Sequence, residues 1–187
     1  MDLNWVWLGD HLALDVANTV RVSDGERVEL LDSPDALTQW HTYEPQSLPG
    51  PTRFTERDLF GFRRLRDATL AVMHAAVLEE PLPGKESLAI NEFARAARAT
   101  RVLSGPGTGP VFECPAEVEP MTQLLGVCAA AVIDLVGRDD LANLAVCPAP
   151  DCGQFFHRAR PNQRWCSPGC GNRARVDRHR HRRSTQR

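Results

Sequence analysis

The stretch Cys147–Cys170, "CPAPDCGQFFHRARPNQRWCSPGC", decides how this chain is read. It holds four of the six cysteines in the spacing C-x4-C-x13-C-x3-C. Each close pair supplies two sulfurs from one tight turn, and the intervening chain folds back to bring the pairs together. That is the sequence form of a four-thiolate zinc site. "CPAPDCG" is a Pro/Gly-rich turn able to present two sulfurs on one side. "QFFHRARPNQRWC" predicts two short strands, around Phe155-Phe156 and Arg164-Trp165, joined by a Pro-Asn turn. Ser167-Pro168 is an N-cap and first-turn pair, which puts Cys170 in the first turn of a helix running to about Arg183.

The order knuckle, hairpin, helix predicts a treble-clef-like finger with one Zn²⁺ per chain held by Cys147, Cys152, Cys166 and Cys170. Four thiolates leave no open position, so the metal is structural. The partly positive helix N-terminus suits a centre of net charge −2. His157 in place of one thiolate is an alternative ligand, and two disulfides are an alternative use of the sulfurs. A module below roughly 40 residues needs such a staple, because Phe155, Phe156 and Trp165 alone make a small core.

Outside this module the charge changes sign. The whole chain of 187 residues has a net charge of −2. Residues 1–154 hold 12 basic and 23 acidic side chains, a balance of −11, whereas residues 155–187 hold 10 arginines and one acid, Asp177, a balance of +9. An acidic body with a basic appendage points to a polyanionic partner. The basic side chains cluster after the last cysteine: Arg173, Arg175, Arg178, Arg180, Arg182 and Arg183, with His179 and His181. At about 100° per residue they cover most of a helix circumference, and Ala174 and Val176 are its only apolar residues. Such a helix repels itself unless phosphates relieve it. A solvated tail is the alternative. Asn172 and Arg173 lie beside a zinc ligand. Asn172 is read as a structural residue holding the knuckle, and Arg173 either as a partner of a thiolate or as a contact to nucleic acid.

The body predicts a mostly helical domain over residues 1–143, followed by the finger over 144–187, an α+β chain overall. Trp5–Leu8 are β-prone, and residues 1–31 fit strand and helix spacing equally. Ser33-Pro34 starts one helix. Thr55 with Asp58 resembles a capping box and opens a helix of about 24 residues with an apolar stripe. A further helix covers Glu86–Thr100, a β-hairpin Arg101–Cys114, and a strongly apolar helix Met121–Val136 ends at Gly137. "EPQSLPGP", Glu44–Pro51, reads as a loop. Cys128 falls on a core face, and Cys114 has no assigned role.

"RWCSPGCGNRARVDRHRHRR" resembles the CGNR zinc finger, named for the string Cys170-Gly171-Asn172-Arg173. "HLALDVANTV" resembles the opening of the ABATE domain that precedes this finger, with Val16 where the usual pattern has Phe. The resemblance spans nearly the whole chain. It implies a stress-related transcription regulator that binds zinc and, through Arg173, Arg175, Arg178, Arg180, Arg182 and Arg183, nucleic acid, with DNA favoured.

In such a regulator the N-terminal domain would sense a small-molecule effector or mediate assembly into a homo-oligomer. Asp15, Asn18 and Thr19, at helical spacing within an apolar run, would line a ligand pocket or form a buried hydrogen-bond network. No catalytic motif is present, so no enzyme is expected. A zinc-stabilised module for an acidic protein partner, and a small-molecule-binding protein or enzyme built on the N-terminal domain, are the alternatives. No apolar run reaches membrane-spanning length and the N-terminus has no basic leader, so the expected compartment is cytoplasmic.

Overall fold

A computed structural model describes residues 11–44, 47–103 and 110–184, with the backbone alone at 110, 181, 183 and 184. The β-prone Trp5–Leu8 and the turn within the expected 101–114 hairpin lie outside the described residues, as do the side chains of His181 and Arg183.

The body is α-helical around one apolar helix. Helix α5 (Pro120–Val136) starts at a proline, is capped by the Glu119 carboxylate at Thr122 N, and is apolar nearly all round. A helix of that kind must be buried on several sides. Helices α1 (Leu12–Ala17), α3 (Glu56–Val77) and α4 (Gly84–Ala97) pack against it, and α2 (Pro34–Tyr43) packs on α3. The starts of α2 and α3 follow from the caps read in the sequence. Ser33 Oγ accepts from Ala36 N at the head of α2. At the head of α3, Thr55 and Asp58 exchange hydrogen bonds as a capping box. Leu59, Phe62, Leu65, Thr69, Val72 and Met73 then form the buried stripe of α3. Trp40 of α2 meets Phe62 edge to face, with ring centroids 4.7 Å apart. Each fully buried side chain of this size contributes about 1.5–3 kcal/mol.

Among the described residues, three two-stranded antiparallel sheets decorate the helices. The first pairs β1 (Val20–Ser23) with β2 (Glu26–Glu29). Its turn is Asp24-Gly25, both residues at positive φ (52° and 79°), the backbone that a two-residue hairpin requires. The second, β3 (Thr100–Leu103) with β4 (Pro110–Glu113), is the expected 101–114 hairpin. The third pairs β5 (Leu144–Val146) with β6 (Phe155–His157) and carries the cysteine knuckle between its strands. Helix α6 (Pro168–Ser184) closes the chain.

Several local expectations are corrected. The strand at Phe155 pairs with Leu144–Val146 rather than with Arg164-Trp165, which is not a strand. Leu144 and Ala145 are buried, so they supply the apolar edge that the polar 158–164 segment lacks. Helix α4 ends at Ala97 because Arg98 takes a left-handed conformation, φ 50°. Helix α3 spans 22 residues, ending at Val77. Of the undecided N-terminal segment, the described residues 11–31 form a short helix followed by a hairpin.

Two packing constraints give predictions. On α5, a Cβ added at Gly126 would sit 1.9 Å from Ala97 Cβ of α4. Gly126→Ala must therefore push the helices apart, and a loss of about 1–3 kcal/mol is expected in urea unfolding. The second involves Arg66 of α3, whose side chain is 1 % exposed. It forms a two-pronged pair with Glu29, at 2.8 and 2.7 Å, and reaches Asp67 at 2.8 Å. Partial burial works to raise the Asp67 carboxyl, but hydrogen bonds and charge from Arg27 and Arg66 hold it below its ordinary value. A depressed carboxylate adds stability that is fully present above the unfolded value, about pH 3.9, and lost as pH falls through the folded one. Between pH 5 and pH 3 the wild-type urea midpoint should fall further than that of Asp67→Asn.

Candidate metal centre and basic helix

The knuckle is a turn between two paired strands. Cys147 N donates to Gln154 O at 2.8 Å, closing the loop. Asp151 and Gly153 bend it through positive φ, 56° and 69°. Cys147 and Cys152 lie at its ends. Ser167 caps α6, its hydroxyl accepting from Cys170 N at 3.2 Å, so Cys170 sits in the first turn and Cys166 just before it. The knuckle and the helix start therefore face each other.

Among the described residues, the four thiols of Cys147, Cys152, Cys166 and Cys170 converge as a metal-ligating group, with every sulfur within 4.8 Å of the others. Cys152 and Cys166 are 3.7 Å apart, Cys152 and Cys170 3.7 Å, and Cys166 and Cys170 3.3 Å. Zn–S bonds of about 2.3 Å in a tetrahedron place sulfurs about 3.8 Å apart. The donor set and its spacing fit Zn²⁺. No disulfide forms: all six cysteines are free. His157, the alternative ligand, is directed instead at Asp140, whose main-chain O and carboxylate both lie 3.2 Å from Nε2.

The thiols do not titrate alike without a metal. The hydrogen bond from Cys166 leads in lowering the Cys152 thiol to about 5, with Gln154 N–H assisting, while Cys166, as donor to Cys152, is pushed up. Burial pushes Cys147 up. Four adjacent thiolates in a largely buried site need a cation, and metal binding would release the remaining protons. Cys128 and Cys114 are elsewhere. Burial in the core on α5 raises the Cys128 thiol, and partial burial raises that of Cys114.

The CGNR string is resolved residue by residue. Cys170 supplies a sulfur. At Gly171 an added Cβ would lie 3.1 Å from the Trp165 indole, so the ring packs on bare backbone. Asn172 is exposed, and no hydrogen bond links its side chain to the knuckle among the described residues. Arg173 bridges helix and knuckle: Nη2 lies 3.0 Å from Cys170 Sγ, and Nε donates to Pro150 O at 3.2 Å. The guanidinium thus lies where it can offset thiolate charge.

Asp15, Asn18 and Thr19 are all buried, at the end of α1. The Asn18 amide donates to Phe155 O at 2.9 Å, and its oxygen accepts from Phe155 N at 2.8 Å. Thr19 Oγ1 donates to Val16 O and accepts from Arg66 Nη1. The main-chain carbonyl of Asp15 accepts from Trp40 Nε1. The Asn18 pair joins the body to the finger, whereas the Thr19 and Asp15 bonds lie within the body.

The β1–β2 hairpin adds to that join. Val22 N donates to Cys152 O at 3.0 Å, and Asp24 N to the Asp151 carboxylate at 2.7 Å. The Val22 side chain fills the space over Gly153, where a Cβ would meet it at 2.6 Å. Leu144 and Phe155 of the finger strands belong to the main hydrophobic core. Sequence reasoning missed this docking. The Asp24-Gly25 turn signal was present, but nothing in it names a partner 127 residues away.

Helix α6 beyond Arg173 stands out from the body. Arg175, Arg178, Arg180 and Arg182 are exposed, as are His179 and Val176, and Ala174 alone of the described side chains from 172 to 182 is buried. Arg178 Nε donates to the carbonyl of Ala174. Among the described residues, no helix is long and apolar enough to cross a membrane.

The arrangement is that of a four-cysteine zinc finger fused to a helical body. The chain belongs to the ABATE family, whose model, described as "Putative stress-induced transcription regulator", matches residues 10–139. A second model, described as "CGNR zinc finger", matches residues 143–183. Neither description names an enzyme. No curated protein matches the chain.

Removing Asn18 tests the join. Asn18→Ala leaves both backbone groups of Phe155 buried and unpaired, so about 1–3 kcal/mol per group is at stake before relaxation. A lower thermal midpoint and faster zinc loss to a competing chelator are expected.

Proposed function

We propose that the protein is a DNA-binding transcription regulator in which structural zinc holds an arginine-rich helix in place. Cys147, Cys152, Cys166 and Cys170 hold the metal, and Arg173 steadies it. Arg175, Arg178, Arg180 and Arg182, continued by Arg183, meet phosphates. The observation that carries this reading is the run of exposed arginines on α6, with one acid among them, on a chain whose body has a balance of −11. Arginine forks suit phosphate oxygens, and counterion release supplies the affinity. Asn172, exposed beside Arg173, is available for a base edge or a phosphate.

The finger could instead bind an acidic protein, including its own body. The docking geometry favours an outside partner. The knuckle edge of the finger faces the body through Asn18, Val22 and Asp24, while Arg175, Arg178, Arg180 and Arg182 of α6 stay exposed. Residues 1–143 and 144–187 then divide the labour as sensing or assembly domain and binding module, although they share a core.

Fluorescence anisotropy of zinc-loaded protein on duplex DNA at several salt concentrations tests the reading. Binding should weaken steeply with salt. The triple variant Arg175→Ala, Arg178→Ala, Arg182→Ala should reduce the slope of log K against log salt by about 2–3, one for each lost phosphate contact. Absent or salt-insensitive binding contradicts it.

A further inference from the structure

A cavity of about 280 Å³ opens between α3, α4 and α5, away from the zinc centre. Val72 of α3, Ile90 of α4 and Val132 and Val136 of α5 form its walls, and Ile133, 44 % exposed, lies at its rim. No acidic, basic or histidine side chain lines it. Two polar residues do, Ser87 and Asn91. They are one turn apart on α4 and so share a face. The Ser87 hydroxyl is buried and has no hydrogen-bond partner among the described residues. A helical serine commonly returns its hydroxyl to the carbonyl four residues back. Here it does not, and a buried hydroxyl without a partner is costly.

We infer that this cavity binds a small, neutral, mainly apolar molecule carrying one hydrogen-bonding group, of the aromatic-alcohol class. Roughly 150 Å³ suffices for benzene, so the cavity admits a substituted or fused ring. An ionised ligand finds no counter-charge in this lining. The Ser87 hydroxyl, with no bond to give up, turns about its Cα–Cβ bond to meet the polar group of the ligand, and the Asn91 amide offers a donor and an acceptor beside it.

Two walls of the cavity continue into contacts that seat the finger. Helix α3 carries His74, whose ring meets Phe155 edge to face, with centroids 4.7 Å apart. Helix α5 ends at Val136, and Asp140, four residues on, contacts His157 of β6. A ligand that shifts either helix therefore acts on both flanks of β6. This gives the body the sensing role in the proposed regulator. Binding itself is independent of whether DNA is the partner, and it is measured without DNA.

Calorimetric titration of the zinc-loaded full chain with 1-naphthol is expected to show saturable one-site binding. Ser87→Ala should weaken it about fivefold, the worth of one hydrogen bond. Ile133→Trp, which fills the mouth from an exposed position, should abolish it while circular dichroism and the thermal midpoint stay near wild type. Decanoate, a charged probe of similar size, should not bind. Lack of saturation with 1-naphthol up to its solubility limit, or equal affinity in wild type and both variants, overturns the inference.

Discussion

One asparagine side chain ties the two halves of this protein together. The Asn18 amide satisfies both backbone groups of Phe155, and every buried backbone polar group must find such a partner. It sits just past α1, six residues long, a length that no isolated helix sustains in water. Helix α1 persists because every one of its residues is buried. Asn18 at its end then reads the edge of the knuckle strand, and the β1–β2 hairpin that follows presses Val22 onto the knuckle loop. The body thus shapes the surface on which the zinc finger rests.

The charges are sorted by the same architecture. Arg66 is drawn into the body by Glu29 and Asp67, and Arg173 is drawn into the finger by Cys170 and Pro150. Both are part of the fold. Arg175, Arg178, Arg180 and Arg182, further along α6, are exposed. They contribute little to stability, and a polyanion would relieve their mutual repulsion. Zinc has a positional task in this scheme: it fixes the start of α6 against the knuckle, so the charge beyond it projects in one direction.

What the sequence made legible follows the strength of its local signals. The cysteine spacing, the caps at Ser33, Thr55 and Ser167, and the apolar run of α5 each carry their own physics within a few residues. The N-terminal 31 residues do not. Helix α1 is buried on all faces, so it shows no one-sided stripe, and β1 and β2 are four residues each. The partner of β6 was hidden for a related reason. Leu144–Val146 is three residues long, too short to display alternation, and reads as a connector. The roles of Asn18 and Val22 depend on contacts across more than 100 residues, which no local pattern records. The finger consequently looked separable in sequence, whereas Leu144 and Phe155 place its strands in the core of the body.

Amide hydrogen exchange on the zinc-loaded protein, before and after metal removal by a chelator, tests the shared-unit account most directly. If the finger and body are one unit, removal of zinc lowers protection at Phe155 and Val22 and, with them, through α1 at residues 12–17. Loss of protection confined to residues 144–184, with α1 and β1 unchanged, would contradict it.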